Sequence, residues 1–460
     1  MATNIEKLII SHNKDAQNRK MVAFYDRKST MEKMGIARSE TAHSAFLANL
    51  LKSDNGLGLE ESAIMWLLHI LIEREDNATA YNSTSSKSPI PTDVKAAVLS
   101  QTLKYDIEEI TTEKVIDDVA HSYFAVNYKG KKCDDRLDIY IKLKVNGLSV
   151  KYLEIVIENK VLQDENGPKS KNSSGYDSLF QTQRYYTACS YNKSSDTAQL
   201  FVFLTPDEVE EETKAKDKHF IQISYQDVLD TIIIPQLDNN MLTSNERQEL
   251  ENYVDALNLP TLDIQAKKRI VMAMTEEARI DRQTYLKKNK ELIINVIKAK
   301  EKEASNSSSL TQEEQILVSF ADKRKNLFAA LGMDFDTIKT TYYFVFITDG
   351  DTYRIAHLCT ADVAVNFAKL YYKHNPGLTI EQLNNDFANV KSNIFSVCNA
   401  QKNNTNSALY VKIADYVYFP KYIWSGKNIG DGKENYFSKL LTMINKTNNV
   451  SKDSKYEVIK

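Results

Sequence analysis

The chain has 460 residues, of which 42% are hydrophobic and 26% charged, and its formal net charge at pH 7 is −3. This length allows two or three domains with a sizeable core. The near-neutral charge does not indicate a general polyanion binder, so any contact with nucleic acid should come from a local basic surface. The four cysteines form no CxxC pair, which favours a reducing cytoplasm over a disulfide framework. No apolar run approaches the roughly 18 residues of a membrane span, so we expect a cytoplasmic protein without membrane segments.

The first 75 residues are predicted to be helical. Apolar residues recur at helical spacing between positions 40 and 51 and again between positions 60 and 74. Glu40 falls in the first turn of the earlier helix. It would either reach a metal site or simply complement the positive end of the helix dipole. His43 in the same helix is predicted to be a hydrogen-bonded structural residue. Residues 76–92 are predicted to form a loop, and the segment from Ser122 to Tyr128 is predicted to be the first strand of a sheet.

A β-hairpin is predicted at the centre of this region. The run Tyr152–Lys160 is apolar and β-branched, which is typical of a buried strand. A second strand is predicted from Arg136 to Val145. The dipeptide Asn146-Gly147 between the two runs is the strongest hairpin signal in the chain.

Charged residues interrupt this apolar hairpin. Glu158 and Lys160 share one face of their strand, and the hairpin would bring Asp138 towards Glu158. Two carboxylates suit Mg²⁺, and the lysine would orient or help to deprotonate a water molecule. The alternative is a structural salt bridge near a sheet edge. Asp134 is a competing ligand, but Asp138 is preferred because it lies where the apolar run begins.

The segment that follows offers groups for phosphate. Lys169 and Lys171 lie in a polar loop, residues 163–177, which would reach phosphates or remain a solvated loop. A helix over residues 178–191 places Gln181 and Tyr185 one turn apart. Arg184 offers a bidentate fork for phosphate, while the tyrosines of this helix would otherwise pack against the sheet.

These motifs together resemble the PD-(D/E)xK nuclease superfamily, which has the restriction-endonuclease-like fold. Asp138 followed by Glu158-x-Lys160 is similar to its site motif, and Gln181-Thr-Gln-Arg-Tyr185 resembles the Gln-x-x-x-Tyr helix of several member families. The helix that begins at Glu40 is similar to the family's first helix, which often offers a glutamate to the site. The resemblance covers roughly residues 20–240.

The resemblance implies an α/β fold: a restriction-endonuclease-like mixed sheet flanked by helices. This nuclease-like domain would span residues 1–240. Residues 241–303 would form a basic helical arm, because eleven Lys and Arg face five Asp and Glu between positions 264 and 302. That arm would track a phosphate backbone or present a solvated helix face. A smaller C-terminal α/β-type domain, residues 310–460, would serve recognition or assembly.

Local patterns also predict elements of this C-terminal domain. Thr311-Gln-Glu-Glu314 is a capping box that opens a helix. A hairpin is predicted over residues 341–358, with its turn at residues 349–351. A strand is predicted over residues 408–419. Trp424 suits either a packed core or stacking on bases.

The implied activity is metal-dependent hydrolysis of phosphodiester bonds, with DNA as the favoured substrate and defence against foreign DNA as the implied setting. Mg²⁺ is the expected cofactor and Mn²⁺ would substitute. Asp138, Glu158 and Glu40 would bind the metal. Lys160 and Gln181 would complete the catalytic set, and Arg184, Lys169, Lys171 and Tyr185 would contact nucleic acid. A homodimer or a partner subunit stays open. The competing hypothesis is a non-catalytic nucleic-acid-binding or assembly protein on the same fold.

Overall fold

The computed structural model describes most of the chain, and contacts divide it into two compact units. Unit 2 comprises Arg27–Ala278, and unit 1 comprises Met1–Asp26 together with Arg279–Lys460. These are spatial units, so the division into domains 1–240, 241–303 and 310–460 stays a prediction. The described residues are 3–53, 57, 62–81, 88–127, 133–161, 166–169, 175–191, 193–206, 214–238, 242–263, 268–305, 309–335, 343–349, 352–397, 410–414, 417–420, 424, 435–450 and 454–459.

The described α-helices are numbered in chain order. They are α1 Asn4–Lys14, α2 Ala16–Asp26, α3 Thr30–Lys33, α4 Glu40–Leu50, α5 Ser62–Arg74, α6 Thr92–Leu99, α7 Ile116–Val119, α8 His121–Asn127, α9 Gln181–Cys189, α10 Tyr225–Val228, α11 Ile234–Leu237, α12 Ser244–Asn258, α13 Glu276–Lys288, α14 Lys290–Ser305, α15 Gln312–Asp322, α16 Lys325–Ala330, α17 Thr360–His374, α18 Ile380–Asp386 and α19 Tyr436–Val450. A π-helical stretch, Leu229–Ile233, joins α10 to α11. Among these helices, none combines the length and apolar character that a membrane crossing requires.

The described β-strands form four sheets. They are β1 Tyr105–Val115, β2 Arg136–Val145, β3 Tyr152–Asn159, β4 Thr197–Thr205, β5 Phe220–Ser224, β6 Thr261–Asp263, β7 Lys268–Ile270, β8 Tyr343–Asp349, β9 Thr352–Leu358, β10 Ser396–Val397, β11 Tyr410–Ala414, β12 Val417–Pro420 and β13 Ser454–Ile459.

Unit 2 is built on a mixed five-stranded sheet with the order β1-β2-β3-β4-β5. β1, β2 and β3 are antiparallel neighbours, whereas β3, β4 and β5 run parallel. The predicted hairpin between β2 and β3 is confirmed, and Gly147 in its turn has a φ of +75°, a conformation that glycine adopts without strain. A mixed sheet flanked by helices is the expected fold class, which is therefore confirmed.

The prediction that the first strand lies at residues 122–128 is wrong. Residues 121–127 form helix α8, and the first strand is β1, which ends before that helix begins. In α8, Tyr123 and Phe124 pack into the core, and an apolar run this short has no periodicity that distinguishes helix from strand. β1 is hard to recognise because it is an edge strand that carries acidic residues between its isoleucines.

Two hydrophobic cores cover the two faces of this sheet. One core contains Ile155 and Ile157 of β3 and the apolar faces of α4, α5 and α12. The other contains Val156 of β3, Phe203 of β4 and Tyr185 of α9. Because strand side chains alternate, successive residues of β3 point into different cores. This alternation decides where the charged residues at the end of β3 point.

Unit 1 has its own core around the sheet β13-β8-β9 and helix α17. The predicted β8–β9 hairpin and the capping box from Thr311 to Glu314 are confirmed. The predicted strand over residues 408–419 is instead two antiparallel strands, β11 and β12. Trp424 is buried against Phe419 and donates its Nε1 hydrogen to the Pro420 carbonyl at 2.7 Å. It is therefore a core residue rather than an exposed stacking surface.

Candidate active site

The candidate site lies at the carboxyl end of β3. Val156 points into the core that contains α9, so the same alternation directs Glu158 to that side of the sheet and Asn159 to the opposite side. Glu158 is fully buried, and Lys160, just beyond the strand, is 6% exposed. The sheet thus carries a carboxylate and an ammonium group in its interior, where desolvation costs several kcal/mol unless the charges are paired.

Asp138 joins this site from the neighbouring strand. The register pairs Ile139 with Ile157, so Asp138 and Glu158 are cross-strand neighbours. Side chains opposite each other in an antiparallel pair lie on one face, with Cβ atoms roughly 5 Å apart. Asp138 Oδ2 also accepts a hydrogen bond of 2.7 Å from the backbone N–H of Asn159, which fixes its carboxylate at the strand end.

Lys160 is shared between two carboxylates. Its Nζ lies 2.7 Å from Glu158 Oε1 and 3.2 Å from Glu40 Oε2. Glu40 is the first residue of α4, and its other oxygen accepts a hydrogen bond from the Val161 N–H at 3.2 Å. The structure therefore brings Glu40 to the site from the first turn of α4, one of the two alternatives left open by the sequence.

Burial raises the pKa of two carboxyl groups of the site. Burial, reinforced by the charge of Asp138, raises the pKa of Glu158 well above its usual value. Burial also raises the pKa of Asp138 to about 6. Burial alone would lower the pKa of Lys160, but the charges of Glu158, Glu40 and Asp138 outweigh it and hold that pKa above its usual range. Lys160 is therefore a cation at neutral pH.

These residues fit a divalent cation bound by two carboxylates. Glu158 Oε2 is buried and has no hydrogen-bond partner among the described residues, so it lacks the compensation that buried polar atoms normally have. Three carboxylates against one ammonium leave a formal charge of −2, which a divalent ion would balance. The ligand oxygens of Glu40, Asp138 and Glu158 do not all lie within 4.8 Å of one another, however. The strand register places Asp138 and Glu158 on one face of the sheet, and the assignment of Asp138, Glu158 and Glu40 as metal ligands stays a prediction.

Helix α9 packs on the side of the sheet to which Glu158 points. Gln181 Nε2 donates to the Tyr185 hydroxyl at 2.8 Å, and Gln181 Oε1 accepts from Asn166 Nδ2 at 3.0 Å. The Tyr185 hydroxyl in turn donates to the Arg136 carbonyl on β2. Burial and the nearby charge of Glu158 raise the pKa of Tyr185 well above its usual value. The predicted one-turn spacing of Gln181 and Tyr185 therefore produces a buried pair next to the carboxylates.

The other residues predicted to bind nucleic acid occupy a second charged cluster. Arg184 is 4% exposed and donates to Asp135 Oδ2 at 2.8 Å. Lys169 Nζ lies 3.0 Å from Asp134 Oδ1 and 3.2 Å from Asp135 Oδ1. Arg184 is thus committed to contacts inside the protein, and its binding to phosphate stays a prediction that this burial does not support. Lys171 lies outside the described residues.

This second cluster contains a set of three potential metal-binding side chains that the spacing of the cysteines did not indicate. Ligand atoms of Cys133, Asp134 and Asp135 lie within 4.8 Å of one another. Two cations already face these carboxylates, since Lys169 contacts both aspartates and Arg184 contacts Asp135. The cluster is therefore balanced by protein charges and does not call for a metal ion.

Sequence reasoning missed two polar residues behind the site, Asn159 and Tyr225. The Tyr225 hydroxyl donates to Asn159 Oδ1 at 2.7 Å, and both side chains are fully buried. The strand pattern contained one usable signal: an amide at a position that should be apolar must find hydrogen-bond partners. Its partners lie far away in sequence, so no local pattern identifies them.

A sequence model of the PD-(D/E)XK nuclease superfamily matches residues 30–322. The match covers more than half of the chain and includes the mixed sheet, α4, α9 and every residue of the site just described. This chain belongs to the PD-(D/E)XK nuclease superfamily. No curated protein and no solved structure matches the chain. The match extends beyond the expected end near residue 240, so it also takes in α13, α14 and α15. Membership indicates nuclease activity on nucleic acid, and nucleases of this superfamily generally use divalent metal ions.

Proposed function

We propose that this chain is a Mg²⁺-dependent nuclease that hydrolyses phosphodiester bonds of DNA. The observation that supports this most directly is the buried Glu158 carboxylate. It has one oxygen without a hydrogen-bond partner among the described residues, and it lies beside Asp138 and Lys160 in a chain of this superfamily. Asp138 and Glu158 would hold Mg²⁺, or Mn²⁺ in its place, because carboxylate oxygens are the ligands that such hard cations prefer.

A divalent cation bound there supplies stabilisation of the negative charge that develops on the phosphate and on the leaving oxygen. Lys160 stays protonated, since its pKa is held above the usual range. It therefore donates hydrogen bonds and orients a water molecule or a phosphate oxygen, rather than removing a proton. Gln181 supports this arrangement through its second amide hydrogen, because its first is donated to Tyr185.

The distribution of charge between the two units supports a larger contribution of unit 1 to the binding of nucleic acid. Unit 2 contains 29 Lys and Arg against 40 Asp and Glu, whereas unit 1 contains 30 against 22. An acidic unit repels a polyanion and a basic one attracts it, and each neutralised phosphate releases counterions. Most backbone contacts are therefore expected from unit 1, which includes α14 and the part of α13 from Arg279 onward. Lys169 and Lys171 would add contacts near the site.

The test is cleavage of linear DNA, plasmid, single-stranded DNA and RNA by the purified protein in Mg²⁺, Mn²⁺ or EDTA. Asp138→Asn and Lys160→Ala should each abolish cleavage while retaining the fold and DNA binding. Lys95→Ala is the matched control, because Lys95 forms an ion pair with Glu75 elsewhere in unit 2. Cleavage that persists in both site variants, or that is insensitive to EDTA, would overturn the proposal.

The same experiment separates a nuclease from a non-catalytic binding protein. A binding protein would retain DNA in a mobility-shift assay and leave it intact under every metal condition. Size-exclusion chromatography with and without DNA would then establish whether the protein is a monomer or a homodimer in each state.

A further inference from the structure

Asn159 separates the two charged residues of the site and points away from both. It is fully buried on the side of the sheet that faces α4. Its side-chain amide donates to the Glu40 carbonyl at 3.2 Å and to Ser44 Oγ at 3.1 Å. Its amide oxygen accepts from the Tyr225 hydroxyl at 2.7 Å. One buried side chain therefore connects β3 to two helices, α4 and α10.

These contacts define which chemical group is needed at position 159. The Glu40 carbonyl can only accept, so the amide nitrogen must face α4 and the amide oxygen must face Tyr225. Both amide hydrogens and the oxygen are then used. Aspartate cannot donate to a carbonyl, and an apolar residue would leave buried polar atoms without partners. The position thus selects asparagine by its hydrogen-bonding pattern rather than by its size.

His43, the residue before Ser44, makes a second set of contacts that supports α4. His43 is buried, its Nε2 lies 3.2 Å from the Ala37 carbonyl, and its Nδ1 lies 3.1 Å from the Tyr253 hydroxyl. Because a carbonyl only accepts, Nε2 carries the hydrogen and Nδ1 accepts from the tyrosine. His43 is the structural, hydrogen-bonded histidine that the sequence predicts. It supports the body of α4, whereas Asn159 contacts the first turn, where Glu40 begins the helix.

We propose that Asn159 is a positioning residue that sets the first turn of α4, and with it the Glu40 carboxylate, against the end of β3. Glu40 can then share Lys160 with Glu158, which keeps the Lys160 ammonium from pairing with Glu158 alone. The backbone of Asn159 also positions a carboxylate of the site, because its N–H donates a hydrogen bond to Asp138 Oδ2. This inference rests on the proposed nuclease function and assigns to Asn159 a role in the geometry of that site.

The test compares Asn159→Ala with Glu40→Gln and with the double variant, in the full-length protein. We expect each single variant to lower the single-turnover cleavage rate about 10- to 100-fold, as removal of a supporting interaction around a metal site does. The apparent KM for DNA should not change. The double variant should be no slower than the slower single variant, because Asn159 acts through Glu40. Rate losses that multiply in the double variant, or an unchanged rate in Asn159→Ala, would overturn the proposal.

Two controls separate positioning from general destabilisation. Asn289→Ala removes another buried, hydrogen-bonded asparagine, which lies in unit 1. It should lower the melting temperature and leave cleavage at a permissive temperature unchanged. If Asn159→Ala does not fold, Ser44→Ala removes one partner of the same amide. The rate losses of Ser44→Ala and Glu40→Gln should then not multiply when the two substitutions are combined. An effect of Ser44→Ala that multiplies with that of Glu40→Gln would refute the role of Asn159.

Failure of the proposed function gives a different pattern. Binding of Mn²⁺ alone, measured by calorimetry, does not depend on cleavage. Asn159→Ala should weaken Mn²⁺ binding to the extent that Glu40→Gln does, even if no nucleic acid is cut by the wild-type protein. Equal Mn²⁺ affinity in Asn159→Ala and wild type, together with weaker binding in Glu40→Gln, would refute the inference while leaving the metal site in place.

Discussion

Replacing Asp138 by asparagine should stabilise the metal-free protein at neutral pH. Burial raises the pKa of Asp138 from 3.8 to about 6. A rise of about two pKa units corresponds to about 3 kcal/mol of unfavourable free energy for the ionised form. Between these two pKa values the folded state binds more protons than the unfolded state, so the free energy of unfolding falls as pH rises. The penalty is fully present above pH 6, and Asp138→Asn removes it.

The assay is thermal unfolding in EDTA between pH 4.5 and 8. A gain of at most about 3 kcal/mol corresponds to a rise of about 6 to 12 °C in melting temperature for a unit of this size. The gain should shrink as the pH falls towards 4.5, because the wild-type carboxyl group is then protonated. Burial also raises the pKa of Glu158. This second carboxyl group therefore lowers the stability of the wild-type protein further as the pH rises. Adding Mg²⁺ should stabilise wild type more than the variant.

Asp93→Asn is a control with the opposite sign. The backbone and hydroxyl groups of Ser149 donate to Asp93 and lower its pKa. Its stabilising contribution is therefore present above its unfolded pKa and lost as pH falls, so Asp93→Asn should not stabilise at neutral pH. A melting temperature of Asp138→Asn at pH 7.5 equal to or below that of wild type would refute the burial argument.

Three further outcomes are expected. Lys160→Met should abolish cleavage and destabilise the protein by about 3 kcal/mol at pH 8, measured by urea unfolding, because Glu158 loses its ion-pair partner; no loss of stability would contradict the buried pair. Gly332→Ala should lower the melting temperature, since its φ is +86° and an added Cβ would lie 3.0 Å from the Ile355 carbonyl oxygen; an unchanged melting temperature would contradict it. Reversing the charge of exposed lysines of unit 1 should weaken DNA binding and lower the slope of log K against log salt by about 1 for each phosphate that is no longer neutralised, with an unchanged slope as the contrary result. The lysines to change are four exposed ones: Lys287, Lys298, Lys369 and Lys446.

The sequence predicts the parts of the fold that depend on short-range signals. The β2–β3 hairpin follows from a turn dipeptide between two apolar runs. Hairpin pairing and strand alternation then predict that Asp138 approaches Glu158, and the observed register makes the two residues cross-strand neighbours. The first strand is misplaced by the sequence because β1 carries acidic residues between its isoleucines, while α8 is too short to have a recognisable helical period.

The wider surroundings of the site depend on contacts that no local pattern contains. Asn159 meets α4 across more than 110 positions and meets Tyr225 across 66. Arg184 has the chemistry of a free phosphate fork, yet it binds Asp135 across 49 positions. A sequence indicates that such polar groups need partners, whereas only the packing of α4, α9 and α10 identifies them. The catalytic and binding roles themselves stay predictions.

The pKa of Glu158 bears on the alternative that these charges form only a structural salt bridge. A carboxylate in an isolated ion pair has its charged form stabilised by the partner, so its pKa falls. Here the pKa of Glu158 is raised although the Lys160 ammonium lies 2.7 Å away, because burial and the charge of Asp138 oppose the pairing. One cation serves three carboxylates, and part of the desolvation cost stays uncompensated by the protein itself. That imbalance is unfavourable for stability and favourable for binding a cation, so it supports an active site at the end of β3.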